Sequence, residues 1–477
     1  MEKIITAISS VLTDYVMVIT LLGVAIFFTI ITRGVQFRMI GEMCRLLVSS
    51  GKIDEADVKG EKPAKGSVSS FQAFTLSIAA RVGTGNLAGV ATALSIGGPG
   101  AVFWMWVIAL LGASSAFVES TLAQLFKVRG EDSFRGGPAY YIQKGIGRRW
   151  WAVLFAILIT LTFGIAFNSV QSNTIASAFE NSFAFPKEYM AIILAAVTLV
   201  IVFGGIKSIS RFSEIVVPVM AVAYLVLAIV IVAMNVGRIP EVISTIVSHA
   251  MGFNQAAGGA AGMGIIMGIK RGLFSNEAGE GSTPNAAATA TTSHPVKQGL
   301  IQTLGVYTDT MLICSATAFI ILCSGLYAEG YDGIVLTQKA IDANLGAGHN
   351  YGSIFVSLAI LFFAFTSIIA NYYYGETNIR FIKDNRYLVV IYRLIVGLMV
   401  YLGGIMSLNL VWGLADITMA LMTLCNLAAI LVLGKYAVRL LKDYQKQRKE
   451  GKDPAYVSSI IPEIASETEC WTPEENK

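Results

Sequence analysis

Apolar runs of membrane-spanning length recur along nearly the whole chain of 477 residues, separated by short polar segments. A membrane helix needs roughly 20 consecutive apolar residues. Such runs occupy residues 15–32, 71–96, 101–126, 151–179, 190–206 and 215–235, and then 256–292, 300–326, 353–373, 387–406 and 411–439. The pattern predicts an all-α polytopic membrane protein with about 11 transmembrane helices.

Two of these runs are interrupted by glycine and polar residues. In the run at 71–96, glycines at positions 83, 85 and 89 surround Thr84 and Asn86. The run at 256–292 is too long and too polar for one ordinary span, and we interpret it as two half-helices that meet around Gly272 to Asn276. Backbone that leaves a helix at mid-membrane depth is tolerated only where it is buried in protein or lines a cavity, so both breaks are candidate binding sites.

The order of the runs indicates two related halves. One leading helix is followed by two groups of five spans, and each group begins with a glycine-interrupted helix. Because five is odd, the second group must insert upside down, which predicts a five-plus-five inverted repeat, a pattern typical of secondary transporters. We therefore expect a leading helix with a cytoplasmic loop at 1–70, a first repeat at 71–235, an external loop with a second repeat at 236–440, and a solvated or disordered cytoplasmic tail at 441–477.

Basic residues concentrate in alternate connections and indicate the orientation. They occur in segments 33–70, 127–149 and 380–386 and from residue 435 onward. Cytoplasmic loops carry this excess, so we expect a multi-pass protein of the cell membrane with its N-terminus outside and its C-terminus in the cytoplasm. The net charge of +4 is too small and too dispersed to indicate a nucleic-acid partner.

Several functional classes find little support in the sequence. The five cysteines form no CxxC pair, which argues against a disulfide framework or a metal centre. An intramembrane enzyme would need a nucleophile near a base or an HExxH motif, and neither pattern occurs. A channel would need a continuous filter or charged rings, which would not explain two matched breaks. Membrane lipid is the expected surrounding, and no obligate protein partner is evident.

Three segments carry a specific resemblance. The segments are "VGTGNLAGVATALSIGGPGAVFWMW" at residues 82–106, "FRGGPAYYIQKG" at 134–145 and "IKRGLFSNEAGEGSTPNAAA" at 269–288. They resemble the signature segments of the alanine or glycine:cation symporter family, and the similarity extends from about residue 71 to 435. The resemblance implies the fold of the leucine transporter and import of a small neutral amino acid, alanine or glycine, together with sodium. Coupling to protons is the alternative, but the three histidines form no evident relay, so we favour sodium.

The resemblance also suggests residues that bind the substrate. It aligns Thr84 and Gly85 with backbone N–H groups that hold a carboxylate, and it places Asn86 within reach of ion or substrate. Phe167 and Gln171 are four residues apart and share one helical face, so they could cap the pocket and bond the ligand. Packing and interhelical hydrogen bonding are the alternatives for these residues. The second break contributes two further candidates, Gly272 and Asn276.

For the cation, the resemblance implies five oxygen ligands without formal charge. They are the hydroxyls of Thr366 and Ser367 and the carbonyls of Ala79, Val82 and Phe363. The alternative is that both hydroxyls bond back to the carbonyl of the previous helical turn.

Charged residues inside apolar runs are costly and are functional candidates by default. Such residues are Arg81, Glu119, Lys270, Arg271, Glu277, Asp309 and Asp416. Arg81 lies just before the first break and is the best candidate for a gate or a structural strut. Glu280 departs from the usual pattern of the resembling family, in which methionine is common, and it adds a carboxylate to the inner half of the second broken helix.

Overall fold

The computed structural model describes residues 10–53, 68–130, 133–204, 206–252, 258–346 and 350–471. The helices of the first half are α1 (Val11–Ile31), α2 (Val35–Arg38), α3 (Ile40–Ile53), α4 (Ser70–Arg81), α5 (Val90–Gly97, preceded by the π-helical turn Gly85–Gly89), α6 (Gly100–Leu125), α7 (Pro138–Tyr141), α8 (Arg149–Phe183), α9 (Lys187–Val202) and α10 (Ile206–Met234). The antiparallel strands β1 (Val128–Arg129) and β2 (Phe134–Arg135) form a short hairpin after α6.

The second half continues with helices of the same kind. They are α11 (Ile239–Ala250), α12 (Gly258–Asn276), α13 (Thr283–Ala287), α14 (Pro295–Ser324), α15 (Gly333–Leu345), α16 (Tyr351–Ile382), α17 (Arg386–Ile405) and α18 (Leu408–Lys449). Three 3₁₀ turns follow α18, at Ser458–Ile460, Pro462–Glu467 and Glu469–Trp471. Part of the expected cytoplasmic loop, residues 54–67, and the end of the expected tail, residues 472–477, lie outside the described residues.

The helical membrane class predicted from the sequence is confirmed. Within the described ranges, seven helices are long and apolar enough to cross a membrane, and a pair bent by 75° at residue 235 brings the number to as many as eight. Two further segments escape this criterion because they are short: α4 has 12 residues and α9 has 16. The number of about 11 spans therefore stays a prediction.

The first break lies where the sequence predicts it. Ser69 begins α4 with a capping box, in which its hydroxyl accepts from the Gln72 N–H and the Gln72 side chain accepts from the Ser69 N–H. The helix ends at Arg81, and Val82 turns the chain into an extended conformation with φ −79° and ψ 94°. The chain becomes helical again at Thr84, so a bend of two residues, Val82 and Gly83, separates the two halves of this broken helix.

The predicted position of the second break is wrong. Helix α12 runs unbroken through Gly272 and ends at Asn276, and the irregular segment is residues 277–282. Gly264, Gly268 and Gly272 recur every fourth residue and lie on one face of α12, against the backbone or side chains of α6 and the residues before it. Small residues allow such close helix contact in membranes, so these glycines pack a helix and do not break it.

The helix ends where the backbone takes left-handed conformations. Glu277 has φ +56°, Gly279 +93° and Gly281 +85°. Glycine adopts this region without steric cost, whereas a residue with a side chain, such as Glu277, adopts it only under constraint from its surroundings. The second break therefore depends on glycines that come after the predicted position.

The tail was also predicted incorrectly, because it is folded onto the protein. Helix α18 extends to Lys449, and the residues after it bury Tyr456, Ile461 and Trp471. The Tyr456 N–H donates to the Ser293 carbonyl at 2.9 Å, just before α14. The charges that suggested solvation are paired across the same surface, as in the ion pair of Lys297 and Asp453 at 2.7 Å.

Trp471 anchors the end of this tail. Its indole N–H donates to the Gln124 carbonyl at 3.1 Å, and the Lys127 ammonium lies 4.8 Å from its ring centroid. Lys127 also donates to the Ala290 carbonyl at 3.0 Å, and the Thr291 N–H donates to the Val68 carbonyl at 3.0 Å. The tail is thus connected through α6 to the segments that flank both broken helices.

Replacing Trp471 with alanine should lower the stability of the protein. The side chain is 3% exposed, and removing a buried tryptophan costs about 3–5 kcal/mol. The midpoint of thermal unfolding in detergent measures the loss. Trp150→Ala is the matched control, because Trp150 is 66% exposed. Equal midpoints for the two variants would contradict the buried position of the tail.

Candidate functional site

The first break brings two predicted side chains onto its backbone. The Gly83 N–H donates to Asn86 Oδ1 at 2.9 Å, and the Thr84 N–H donates to Gln171 Oε1 at 3.0 Å. Gln171 comes from α8, so its amide crosses from a neighbouring helix to the unwound segment. The structure brings these predicted residues together, and the Thr84 N–H donates to a protein side chain.

Gly85 lies where the two broken helices touch. A Cβ atom added there would lie 3.0 Å from Ser275 Cα and 3.1 Å from Phe274 Cδ1, both at the end of α12. Asn276, a predicted site residue, caps that end: its Oδ1 accepts from the Ala278 N–H at 3.0 Å. The predicted site residue Gly272 lies a turn earlier against Met105 and Ile108 of α6, outside this contact.

Asp309 of α14 joins the two breaks; the sequence marked it as a functional candidate by its charge but assigned it no ligand. Its carboxylate accepts from Asn86 Nδ2 at 2.6 Å and from the Ser275 hydroxyl at 2.8 Å. It also accepts from the Thr310 hydroxyl at 2.9 Å, and Thr310 in turn accepts from Asn276 Nδ2. The sequence signal was available, because Asp309 is a charge inside an apolar run, but its partners depend on the tertiary fold.

Aromatic side chains cover one side of the contact between the breaks. The rings of Phe167 and Phe274 are 4.4 Å apart, and those of Phe274 and Trp412 are 4.7 Å apart. The Arg271 guanidinium lies 4.0 Å from the Trp412 ring centroid and contacts Asp416 at 2.8 Å. Phe167 thus belongs to a row of three aromatic rings that ends at the ion pair of Arg271 and Asp416. Phe274 and Trp412 were missed in the sequence because isolated aromatics in membrane helices are common.

A second group of oxygens lies on the other side of the first break. The Ser367 hydroxyl donates to the Ala79 carbonyl at 2.8 Å and to the Phe363 carbonyl at 3.0 Å, and the Thr366 hydroxyl donates to the Phe363 carbonyl at 2.8 Å. Four of the five predicted cation ligands therefore meet between α4 and α16. Among the described hydrogen bonds, none joins the Val82 carbonyl to this group. The bonds to the Phe363 carbonyl go back to the previous turn of α16, which is the alternative to a cation site. The bond to the Ala79 carbonyl instead joins α16 to α4.

Gly83 lies against both the Ser367 hydroxyl and the Gln171 amide. A Cβ atom added to Gly83 would overlap the Ser367 hydroxyl oxygen and lie 2.9 Å from Gln171 Oε1. The absence of a side chain at one residue thus allows the hydroxyl group and the amide group to approach the same segment of backbone.

Buried charges surround the second break and join it to α4 and α6. Arg81 donates to the Thr283 hydroxyl at 2.8 Å and to the Gln302 carbonyl at 3.2 Å, so it ties α4 to α13 and α14. The Glu119 carboxylate accepts from the N–H groups of Gly279 and Gly281, each at 3.1 Å. Arg81 fits the role of a strut, and Glu119 satisfies the unwound backbone of the second break.

Comparison with solved structures identifies the fold. The structure of MhsT in complex with L-phenylalanine superposes with a TM-score of 0.52 at 14% sequence identity, covering 84% of this chain and 93% of that one. This likeness confirms the fold related to the leucine transporter that the sequence resemblance implied.

Sequence comparison identifies the family. A family model described as the sodium:alanine symporter family matches residues 1–458. The probable sodium/glutamine symporter GlnT of Bacillus subtilis is 48% identical over all of this chain and 97% of its own length. The amino-acid carrier protein AlsT of the same organism is 49% identical over the full length of both chains. These proteins are transporters and not enzymes, and the chain belongs to the sodium:alanine symporter family.

Proposed function

We propose that this protein imports small neutral amino acids, alanine or glycine, by symport with sodium. The observation that carries the proposal is the position of Gly83 between the Ser367 hydroxyl and the Gln171 amide. A cation at the hydroxyl group and an amino acid at the amide would contact the same short piece of unwound backbone. Occupation of either site would therefore favour the same backbone conformation, which is the requirement for coupling two ligands.

The carboxylate of the substrate is proposed to bind at the Thr84 N–H. Thr84 itself begins the second helical segment of the broken helix, where the backbone dipole favours a negative charge. Gln171 Oε1 accepts from it in the described structure, so a carboxylate would replace the amide oxygen. After rotation, the Gln171 NH₂ group could donate to the same carboxylate.

Sodium is proposed to bind at Ser367, Thr366 and the carbonyls of Ala79, Val82 and Phe363. Hydroxyl and carbonyl oxygens at an unwound segment are the ligands that transporters of this kind use for a monovalent cation. The hydroxyl hydrogens point at carbonyls in the described structure, and they would have to rotate away to offer their lone pairs to the ion.

The size of the substrate is proposed to be limited by the aromatic stack. The Phe274 ring lies 3.1 Å from the position of a Cβ at Gly85 and packs between Phe167 and Trp412. The ring stack allows little space beyond the α-carbon of a substrate bound at Thr84. Glutamine, which appears in the name of the relative GlnT, is the second candidate substrate, and it would require Phe274 to move.

Uptake of labelled alanine into proteoliposomes tests the function. We expect saturable uptake that an inward sodium gradient drives, that glycine competes for, and that an equal potassium gradient does not support. Glutamine and leucine complete the panel of competitors. Uptake driven by a proton gradient without sodium would favour the proton-coupled alternative, and uptake that does not saturate would favour a channel.

The sodium site predicts a specific defect. The double variant Thr366→Ala, Ser367→Ala removes two of the five proposed ligands, so the sodium concentration needed for half-maximal uptake should rise by at least about tenfold, the equivalent of about 1.4 kcal/mol. Sodium titration of alanine uptake measures the change. Gly83→Ala should weaken sodium and substrate binding together, because its Cβ would meet both groups.

Gly413→Ala is the matched control for the glycine variant. Gly413 lies in α18, and a Cβ added there meets nothing within 4 Å. The control should therefore titrate like the wild type. A double hydroxyl variant that folds normally and keeps the wild-type sodium titration would move the cation site elsewhere.

The orientation is proposed from the basic segments, with the C-terminus and the segment of α3 in the cytoplasm. Cys44 in α3 is exposed and tests this orientation directly. A membrane-impermeant maleimide should label it in inside-out vesicles and not in intact cells. A Cys44→Ser variant identifies the signal of this residue among the other cysteines. Labelling of Cys44 in intact cells would reverse the orientation.

A further inference from the structure

Three carboxyl groups are buried around the second break. Glu119 of α6 and Glu280 are 0% exposed, and Glu277 is 1% exposed. Their hydrogen bonds differ, and this difference separates one of them from the other two.

Glu119 and Glu277 are each held by donors. Glu119 accepts from two backbone N–H groups of the break and from Asn426 Nδ2 at 2.8 Å. Glu277 accepts from the hydroxyls of Ser282 at 2.6 Å and Thr283 at 3.3 Å. Donors of this kind stabilise a carboxylate away from water.

Glu280 has no such support. Neither Oε1 nor Oε2 has a hydrogen-bond partner among the residues that the structure describes. The charged groups that act on it are Glu277 of the same segment, Glu119 of α6 and Arg81 of α4. Both acidic neighbours repel a negative charge at Glu280, and the Arg81 guanidinium donates to Thr283 and Gln302 instead.

A bare carboxylate in these surroundings is strongly disfavoured, whereas a neutral carboxylic acid is tolerated. The flanking residues Gly279 and Gly281 both have positive φ, so Glu280 lies at the centre of the least regular part of the break. Movement of α13 away from α6 would carry this residue toward water.

We propose that Glu280 is a proton-binding site of the transport cycle. It holds a proton while the second break is closed, as in this structure, and releases the proton to water when the inner half of the broken helix moves away. No bond other than the O–H of the carboxylic acid forms or breaks. The role of Glu280 in transport rests on the proposed symport function. Proton binding by Glu280 can be tested without any measurement of transport.

The first test is the pH dependence of stability. If Glu280 is protonated in the folded protein and ionised in the unfolded chain near neutral pH, the folded state binds the extra proton, so stability falls as pH rises. The thermal midpoint of the wild type in detergent should therefore decrease toward alkaline pH, and that of Glu280→Gln should decrease less. Parallel curves for the two proteins would overturn the proposal.

A second variant, Glu280→Met, tests the proposal even if the Glu280→Gln protein does not fold. Glu280→Met has a similar length and no polar atoms, and replacing an unpartnered buried polar group by an apolar one is neutral or stabilising. Its midpoint at alkaline pH should exceed that of the wild type. Glu119→Gln is the contrast, because removing a carboxylate that two backbone N–H groups require should lower the midpoint. A Glu280→Met protein that is less stable than Glu119→Gln would overturn the proposal.

The second test is sodium-driven alanine uptake in proteoliposomes, with pH varied equally on both sides. Wild-type uptake should fall as pH rises, and uptake by Glu280→Gln should be the same at every pH. A pH profile unchanged by the substitution would overturn the role in transport. If the wild type takes up no amino acid, the proposed function fails, while the stability curves still decide whether Glu280 binds the proton.

Discussion

Backbone that leaves a helix inside a membrane must find its hydrogen-bond partners within the protein, and this constraint organises the polar interior of this structure. At the first break the N–H groups of Gly83 and Thr84 donate to Asn86 and Gln171, and at the second the glycine N–H groups donate to Glu119. Each partner is a side chain from elsewhere in sequence or from the adjoining helix. These polar side chains of the core thus satisfy the backbone of the two breaks, and the binding proposed above uses some of the same groups.

The two breaks are also tied to each other. Asp309 accepts from Asn86 beside the first and from Ser275 beside the second, so one carboxylate bridges both. Arg81 forms a second link, from α4 to Thr283 of α13. The two broken helices are thereby linked through Asp309 and through the bond from Arg81 to Thr283.

The sequence predicted features whose signals are local. Gly83, Thr84 and Asn86 lie within four positions, and this combination of glycine with polar side chains inside an apolar run predicted the first break correctly. The second break was misplaced because the α12 glycines at 264, 268 and 272 serve helix packing, and glycine composition alone does not distinguish packing from breaking. The folded tail and the partners of Asp309 were not predicted, since both depend on residues distant in sequence.

Helix α1 and the neighbouring α3 are connected to α18 near both ends of α18. Toward one face, Lys270 lies 2.8 Å from Asp14 of α1 and 2.9 Å from Asp416 of α18, and toward the other, Glu42 contacts Arg448 at 3.2 Å. Gly434 of α18 also packs directly against Phe28 of α1. Helix α1 packs against α6, which is made soon after it, and also against α18, which follows all the other described helices in the chain. Helix α1 can therefore pack against α6 early in synthesis but must wait for α18, so completion of the native helix packing is a late event in biogenesis.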